Sequence, residues 1–213
     1  MNFLNLLFYS YCLVCSEKSD CEICDKCKNS FIERKNKERV FPEIRVYSWG
    51  MYEGDLRNAI LALKNGHKKL SKPLGSILSN LYNQYFLADS FCAIIPVPCS
   101  KTRIVRRGFC QTDLLALEIF KNTNIQIDTK YIARVKSTKF MNTLNDLESR
   151  QKNIKNAFEV IAETKEQQNY RNILLVDDIL TSGTTMIEIV RTIKMSFPSI
   201  NIVGITIASG DKG

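Results

Sequence analysis

The residues best suited to chemistry are two adjacent aspartates, Asp177 and Asp178, which directly follow a short apolar run at 173–176. In a parallel α/β sheet, ligands bind at the carboxyl ends of the strands. A buried strand at 173–176 would therefore deliver both carboxylates to that edge. Two neighbouring carboxylates can accept hydrogen bonds from vicinal hydroxyl groups, such as those of a ribose. We predict that this pair contacts a sugar.

A loop of small and hydroxyl-bearing residues follows the aspartates and opens directly into a predicted helix. The loop consists of Thr181, Ser182, Gly183, Thr184 and Thr185. Free N–H groups at a helix N-terminus, together with the hydroxyl groups, make a cradle for a phosphate dianion. A diol acceptor and a phosphate cradle lying a few residues apart predict the binding of a ribose 5-phosphate.

Other protein classes also place an acidic pair after an apolar run. The magnesium-holding strand of ATPases is accompanied by a G-x-x-x-x-G-K-[ST] loop, which does not occur in this chain. Phosphoacceptor receiver domains carry their acidic pair near the start of the fold, whereas most of this chain precedes Asp178. An ordinary strand-loop-helix would leave the hydroxyl-rich loop unexplained. The phosphoribosyl interpretation is therefore preferred.

A second group of residues with chemical potential lies near the start of the chain, where five cysteines occur with C-x-x-C spacing: Cys12, Cys15, Cys21, Cys24 and Cys27. The start lacks the pattern of a signal peptide, so we expect a cytoplasmic protein, in which clustered cysteines indicate metal rather than disulfides. Two C-x-x-C turns can complete a tetrahedral four-thiolate zinc site, which leaves no position for a substrate and is therefore structural.

The metal site has two open questions at the level of sequence. Cys12 and Cys15 form one pair, and the other is Cys24 with Cys27 or Cys21 with Cys24; we favour the former. Zinc is the expected metal, and an iron–sulfur cluster is the alternative. The remaining cysteines, Cys92, Cys99 and Cys110, are isolated in the sequence and are expected in the core or in loops.

The elements that must position these groups alternate along the chain. Hydrophobic periodicity predicts helices at 55–64, 74–86, 112–120 and 184–197, and strands at 91–98, 131–135, 157–161, 173–176 and 200–208. Such alternation predicts an α/β fold with a mostly parallel sheet flanked by helices. We divide the chain into a cysteine-rich module and charged linker (1–40), a helical region packing on the core (41–90) and the α/β domain (91–213). The apolar start, 1–11, is too short to span a membrane and is predicted to be a short helix.

The formal charge of +8 and the pI near 9.1 favour polyanionic partners: nucleic acid, phosphorylated small molecules or an anionic membrane surface. Two groups of cations stand out. One follows Pro98 (Lys101, Arg103, Arg106, Arg107) and the other surrounds a predicted strand (Lys130, Arg134, Lys136, Lys139). The aromatic residues Phe109 and Phe140 lie among these cations and could stack on bases, although core packing is the commoner role. Lys64 is either a phosphate ligand or a surface lysine.

Residues 173–185 resemble the phosphoribosyl pyrophosphate signature of type I phosphoribosyltransferases. The resemblance extends to one branch. The chain carries, in this order, the paired cysteines and then the segments 52–66, 95–98, 107–111 and 148–158. This order is similar to that of the ComF (ComFC) family of competence proteins. Two positions depart from the family pattern: Cys110 replaces the usual Asn, and Met141 replaces a Gln in the predicted mobile loop.

The resemblance implies a type I phosphoribosyltransferase-like sheet that binds 5-phosphoribosyl-1-pyrophosphate (PRPP) with magnesium. Asp177 and Asp178 would hold the ribose and the 181–185 loop the 5-phosphate. The pyrophosphate would be held by the segment after Pro98, namely Cys99, Ser100, Lys101, Arg106 and Arg107. No general base is evident, because the only histidine, His67, lies in a predicted solvated helix end.

The resemblance also implies a biological role, in natural transformation. Its members would handle incoming single-stranded DNA in the cytoplasm, with a peripheral association with the DNA-uptake machinery of the inner membrane and no transmembrane segment. Two alternatives stay open: a salvage-type phosphoribosyltransferase acting on a nucleobase, and a non-catalytic PRPP sensor. Whether this chain transfers a ribosyl group is undecided at this level.

Overall fold

A computed structural model describes residues 10–136 and 147–210 of the chain. Seven strands are present in that part: β1 (Glu38–Val40), β2 (Arg45–Met51), β3 (Ala93–Pro96), β4 (Ile132–Arg134), β5 (Phe158–Val160), β6 (Asn172–Leu180) and β7 (Asn201–Ser209). Eight helices accompany them: α1 (Asp25–Asn29), α2 (Gly54–Lys64), α3 (Ser71–Tyr85), α4 (Lys101–Arg107), α5 (Gln111–Thr123), α6 (Leu147–Ile154), α7 (Lys165–Gln168) and α8 (Thr184–Ser196).

Five strands form the central sheet, in the order β1-β2-β7-β6-β3. The inner pairs are parallel, with Val176 of β6 opposite Ile205 of β7 and Pro96 of β3 opposite Val176. β1 alone is antiparallel and forms one edge, while β4 and β5 make a separate two-stranded sheet. This arrangement confirms the predicted α/β class with a mostly parallel sheet flanked by helices.

The central sheet is buried on both faces, as parallel sheets generally are. Alternate residues of β6 enter two different core clusters: Leu174 and Val176 pack in a cluster with residues of α2, α3 and α5. Ile173 and Leu175 pack in the other, with residues of α8 and the β4–β5 sheet. All four side chains are fully buried, which explains why this run reads as continuously apolar and why it fixes the position of whatever follows it.

The cysteine-rich segment packs directly on this core. Cys12, Ile23 and Cys27 are each 1% exposed and share a hydrophobic cluster with α2 residues such as Leu56. Ser30 Oγ donates a hydrogen bond to Asp55 Oδ2 at 2.6 Å, joining the segment to the start of α2. The segment is thus part of the folded body through α2.

Several elements differ from the sequence predictions. No strand was predicted within 41–90, yet β2 lies there and pairs in parallel with β7. Helix α4 occupies the segment after Pro98, for which no helix was predicted. Strand β6 continues past 176 to Leu180, so both aspartates belong to the strand itself, because β7 remains paired with it as far as Ser209.

The charged stretch at 33–38, predicted to be a linker, is fixed against β2. Lys37 is 6% exposed, and its ammonium group donates to Glu33 Oε1 (2.6 Å) and to the Trp49 carbonyl (2.9 Å). Arg34 is also buried and donates to the Asn36 carbonyl. Paired charges can be buried at low cost, which is why a polar stretch forms part of the body here.

Most of the predicted N-terminal helix, as well as Lys139, Phe140 and Met141, lies outside the described residues; Ser10 and Tyr11 are not helical. Among the helices that the structure describes, none combines the length and apolar character required to cross a bilayer.

Candidate functional site

The two aspartates at the end of β6 differ in their surroundings. Asp178 is 4% exposed and forms an ion pair with Lys64 of α2, with 3.0 Å between Nζ and Oδ1. Its other oxygen accepts a hydrogen bond from Gln111 Nε2 of α5 at 3.0 Å. The amide N–H of Asp178 donates to Asp177 Oδ1 at 2.8 Å. Asp178 is therefore fully engaged by the protein, and Asp177 faces the space beyond the strand.

Burial raises the pKa of Asp177 to about 7, and the negative charge of Asp178 acts in the same direction. The backbone N–H of Asp178 and the ammonium of Lys64 oppose this rise. Asp177 is half-buried and lines the cavity at this edge of the sheet, where its carboxyl group accepts the Asp178 N–H. A ligand that brings hydroxyl groups to Asp177 could donate further hydrogen bonds to it.

A cavity of about 350 Å³ lies at this edge of the sheet. Asp177, Asp178, Thr181 and Thr185 line one part of it, and it is surrounded by five cationic side chains, from Lys64, Arg103, Arg106, Arg107 and Arg134. Burial lowers the pKa of Arg134 to about 10, so it remains charged at neutral pH. With five cations against two carboxylates, the cavity has an excess of positive charge and favours an anionic ligand.

The 181–185 loop connects β6 to α8 as the sequence predicted. Gly183 is the residue before the helix and adopts a left-handed conformation, with φ of 75°. No acidic residue lies in the first turn of α8, so nothing in that turn competes with an anion for the free N–H groups. Ser182 Oγ and Thr184 Oγ1 are 3.1 Å apart and share a hydrogen bond. Of the five predicted loop residues, Thr181 and Thr185 line the cavity, and Ser182, Gly183 and Thr184 lie outside its lining.

The predicted pyrophosphate residues divide into two sets. Cys99, Arg106 and Arg107 line the cavity, whereas Ser100 and Lys101 lie at the start of α4 outside the lining. Arg107 Nη1 and Cys99 Sγ both donate to Gln111 Oε1, the latter at 3.2 Å. Because Gln111 also contacts Asp178, the α4 segment and the acidic pair are joined through one amide side chain.

Cys99 and Cys110, which are isolated in the sequence, lie close enough in the structure for each thiol to alter the pKa of the other. This interaction raises the pKa of Cys99 and lowers the pKa of Cys110, and the hydrogen bond between Cys110 Sγ and Thr112 Oγ1, at 3.0 Å, also acts to lower the pKa of Cys110. Cys110 stands where the ComF pattern has Asn, so a polarised sulfur occupies the place of an amide beside the cavity.

The cavity lining also includes Tyr52 and Gln111, to which the sequence gave no role in the site, as well as Arg134, noted only as a cation, and Lys64. Lys64 had two interpretations, phosphate ligand or surface lysine; the structure instead pairs it with Asp178. Spacing could not reveal that these residues meet, because Tyr52 lies between β2 and α2, whereas Lys64, Gln111 and Arg134 belong to α2, α5 and β4.

The second candidate site is the cysteine cluster, formed by Cys12, Cys15, Cys24 and Cys27. Their sulfur atoms all lie within 4.8 Å of one another. The Cys12–Cys27 and Cys15–Cys24 sulfur distances are 3.9 and 3.7 Å. Tetrahedral zinc–thiolate bonds place sulfur atoms ~3.8 Å apart. Cys21 is exposed and outside the cluster, so the four cysteines favoured from the sequence are the ones brought together, and the cluster could hold a metal such as zinc.

The surroundings of the cysteine cluster favour the thiolate form of one residue, Cys12. Burial acts to raise the pKa of Cys12, but hydrogen bonds from backbone N–H groups, including those of Cys24 and Val14, lower it to about 6. These donors lie 3.3 and 3.4 Å from Cys12 Sγ. Burial raises the pKa of Cys27, and the neighbouring cysteines add to that rise. Four thiols packed this closely need a cation to be deprotonated together.

Comparisons with known proteins support the resemblance noted in the sequence. The chain is 38% identical to Competence protein F of Haemophilus influenzae over 114 residues, or 53% of this chain and 49% of that protein. It is 35% identical to DNA utilization protein YhgH of Escherichia coli O157:H7 over 98 residues, or 46% and 41% of the two chains. The chain thus spans about half the length of these curated relatives, or less. The predicted similarity to competence proteins of the ComF type is confirmed over these segments.

Two further comparisons complete this result. No protein-family profile matches the chain. Among solved structures, an adenine phosphoribosyltransferase from Leishmania tarentolae aligns with 81% of this chain and 98% of its own, at 10% identity and a TM-score of 0.36.

Proposed function

We propose that this chain binds PRPP in the cavity at the end of β6 and acts in the handling of incoming DNA. The observation that carries the proposal is the joining of three features in one cavity: an acidic pair, a hydroxyl-rich loop at a helix N-terminus, and an excess of arginine and lysine. PRPP has a matching order of groups, with a diol between a 5-phosphate and a pyrophosphate.

Each part of the ligand has a partner of suitable chemistry. Asp177 would accept hydrogen bonds from the ribose hydroxyls, while Asp178, already held by Lys64 and Gln111, keeps the end of the strand in place. The 181–185 loop would take the 5-phosphate. Arg103, Arg106, Arg107 and Arg134 would bind the pyrophosphate. Magnesium bound with PRPP would neutralise charge on the pyrophosphate leaving group.

We propose zinc for the cysteine cluster, in a structural role. Four thiolates complete a tetrahedral shell and leave no position for a substrate. The burial of Cys12 and Cys27 against α2 residues indicates that the metal would stabilise the body of the protein. The cluster is therefore proposed as part of the scaffold, separate from ligand chemistry.

The DNA-related part of the proposal rests on the relatives and on charge. The names of the similar proteins concern competence and DNA utilization, and this chain carries a formal charge of +8. Exposed cations on α4, such as Lys101 and Arg106, lie beside the cavity and could contact the phosphates of a single strand. We propose a cytoplasmic location with peripheral association at the inner membrane.

Calorimetric titration with PRPP and magnesium tests the central assignment. Wild type should bind, and Asp177→Asn should bind at least about tenfold more weakly, because the amide replaces one acceptor by a donor and removes the charge. Asp89→Asn, which alters an exposed aspartate in a loop, is the matched control and should bind as wild type does. Equal affinity of wild type and Asp177→Asn would mean that the acidic pair does not hold the ligand.

Turnover assays then separate the functional alternatives. Release of pyrophosphate with a panel of free nucleobases would identify a salvage phosphoribosyltransferase. Binding of PRPP without turnover on base, nucleotide or DNA would identify a ligand sensor. Release that depends on single-stranded DNA would support transfer as part of the proposed competence role.

A further inference from the structure

The 181–185 loop is held from its outer side by a residue of β1. Arg39 Nη1 donates a hydrogen bond to the Thr181 carbonyl at 2.8 Å, across 142 positions of sequence. Arg39 itself does not line the cavity, although Thr181 does. The guanidinium group also lies over the ring of Phe41, 4.9 Å from its centroid. Arg39 therefore contacts the loop without lining the cavity.

The contact with the Thr181 carbonyl sets the direction in which the neighbouring N–H group points. A trans peptide unit is planar, and its C=O and N–H bonds point in opposite directions. Since Arg39 holds the Thr181 carbonyl, the N–H of Ser182 in the same peptide unit points away from Arg39. A loop that binds phosphate through N–H groups must turn its carbonyls outward, and each outward carbonyl then needs a donor of its own.

Phe41 holds the next part of the same loop. A Cβ atom on Gly183 would lie 2.6 Å from the Phe41 ring, so the ring packs directly against the glycine backbone. The backbone N–H of Phe41 bonds to the Ile44 carbonyl at 2.9 Å, within the turn between β1 and β2. Strand β1 and the turn that follows it thus contact the loop at two places, Thr181 and Gly183.

We propose that Arg39 is a positioning residue for the 5-phosphate of a phosphoribosyl ligand, acting through the Thr181–Ser182 peptide. This inference rests on the proposed PRPP site and adds to it a residue from outside the cavity. Arg39 keeps the peptide oriented so that the Ser182 N–H is available to the phosphate. Without Arg39 the peptide is free to rotate, and the phosphate loses a preorganised donor.

Two ligands separate this role from a general effect of charge. Ribose 5-phosphate engages the loop and the acidic pair, whereas inorganic pyrophosphate with magnesium engages the arginine side of the cavity. For Arg39→Met, which keeps the length of the side chain but removes its donors, we expect roughly tenfold weaker binding of ribose 5-phosphate. Pyrophosphate binding should stay within about twofold of wild type, since its partners are unchanged.

Both affinities are measured by calorimetric titration, and two further variants complete the experiment. Arg39→Lys retains one charged donor and should recover part of the affinity for ribose 5-phosphate; it also serves if Arg39→Met folds poorly. Arg45→Met is the matched control, because it removes one largely exposed arginine from the adjacent strand, where Arg45 lies 3.7 Å from Glu38. It should leave both affinities unchanged.

The outcomes distinguish the inference from the proposal beneath it. If Arg39→Met weakens both ligands equally, or neither, then Arg39 does not position the phosphate loop. If Arg45→Met has the same effect as Arg39→Met, only net charge matters and the inference fails. If wild type binds neither ribose 5-phosphate nor PRPP, the proposed site itself is wrong, and the role of Arg39 is refuted with it.

Discussion

The cysteine cluster and the cavity at the end of β6 each bring together groups that need a counter-ion. The thiolates of the cluster would need a cation, and the excess of cations in the cavity would need an anion. The cluster brings four thiols within 4.8 Å of one another, and two of these are almost completely buried. The cavity brings five cations around two carboxylates and stays open on one side. In the cluster, the protein encloses the position that a metal ion would take. In the cavity, the position that an anion would take is accessible from solvent.

This difference indicates which counter-ion belongs to the fold and which is exchanged. A four-thiolate shell has no room for anything besides its metal, and that metal would be held as long as the module is folded. The proposed anion of the cavity would be exchangeable, because the arginines that surround the cavity keep partial contact with solvent and with protein acceptors such as Gln111. The predictions below test this contrast, beginning with the largest effect.

Loss of a cysteine ligand should have the greatest consequence. Cys27→Ser is expected to reduce zinc content and to lower the free energy of unfolding by roughly 3 kcal/mol or more, because the metal and the buried contacts of α1 with α2 are lost together. Cys21→Ser removes an exposed cysteine of the same segment that lies outside the cluster, and it should behave as wild type. Thermal unfolding and metal analysis of both variants provide the measurement. Equal zinc content and stability in the two would mean that the cluster is not a structural metal site.

The ion pair between Lys64 and Asp178 should come next in size. Lys64→Met keeps the aliphatic stem but leaves a carboxylate that is 4% exposed without its cation. We expect a loss of about 2–3 kcal/mol in the free energy of unfolding. PRPP affinity should also fall, since Asp178 anchors the end of β6.

Lys68→Met is the control for this ion pair, because Lys68 is exposed and lies four residues further along the chain. It should change the stability by less than about 0.5 kcal/mol. Chemical denaturation at neutral pH measures both variants. A loss confined to ligand affinity, with no change in stability, would show that Lys64 serves the ligand and not the fold.

The elements that the sequence predicted are those with strong local signals. The apolar run of β6 and the C-x-x-C spacing gave the positions of Asp177 and of the cysteine cluster directly. Strand β2 was missed because its buried positions are occupied by Val46, Ser48 and Gly50, so the usual apolar alternation is absent. Ser48 satisfies its hydroxyl group in the interior with Thr206, at 2.7 Å. Alternate residues of β2 are buried, but the buried positions are not consistently hydrophobic, so the sequence pattern does not reveal the strand.

The composition of the cavity shows the corresponding limit for a site. The acidic pair and the loop are contiguous in sequence, and their type and order predicted a phosphoribosyl ligand. Lys64, Gln111 and Arg134 come from α2, α5 and β4, and they reach the cavity only because those elements surround the end of β6. Lys64 and Arg134 could be noted from the sequence as cations, but all three side chains are common surface types, so nothing local assigns them to the cavity.

The smallest expected effect concerns DNA. Lys101 is exposed at the start of α4 and lies outside the cavity lining, so Lys101→Gln should leave stability unchanged and weaken single-stranded DNA binding by a few-fold. The slope of the logarithm of affinity against the logarithm of salt should fall by about 0.7, the value for one phosphate contact of a single strand. Lys165→Gln removes an exposed lysine from α7 and should leave that slope unchanged. If both variants lower the slope equally, DNA responds to the overall charge of the protein, and α4 is not a preferred path for the strand. If only Lys101→Gln does so, the exchangeable anion of the cavity and the DNA backbone meet on the same helix.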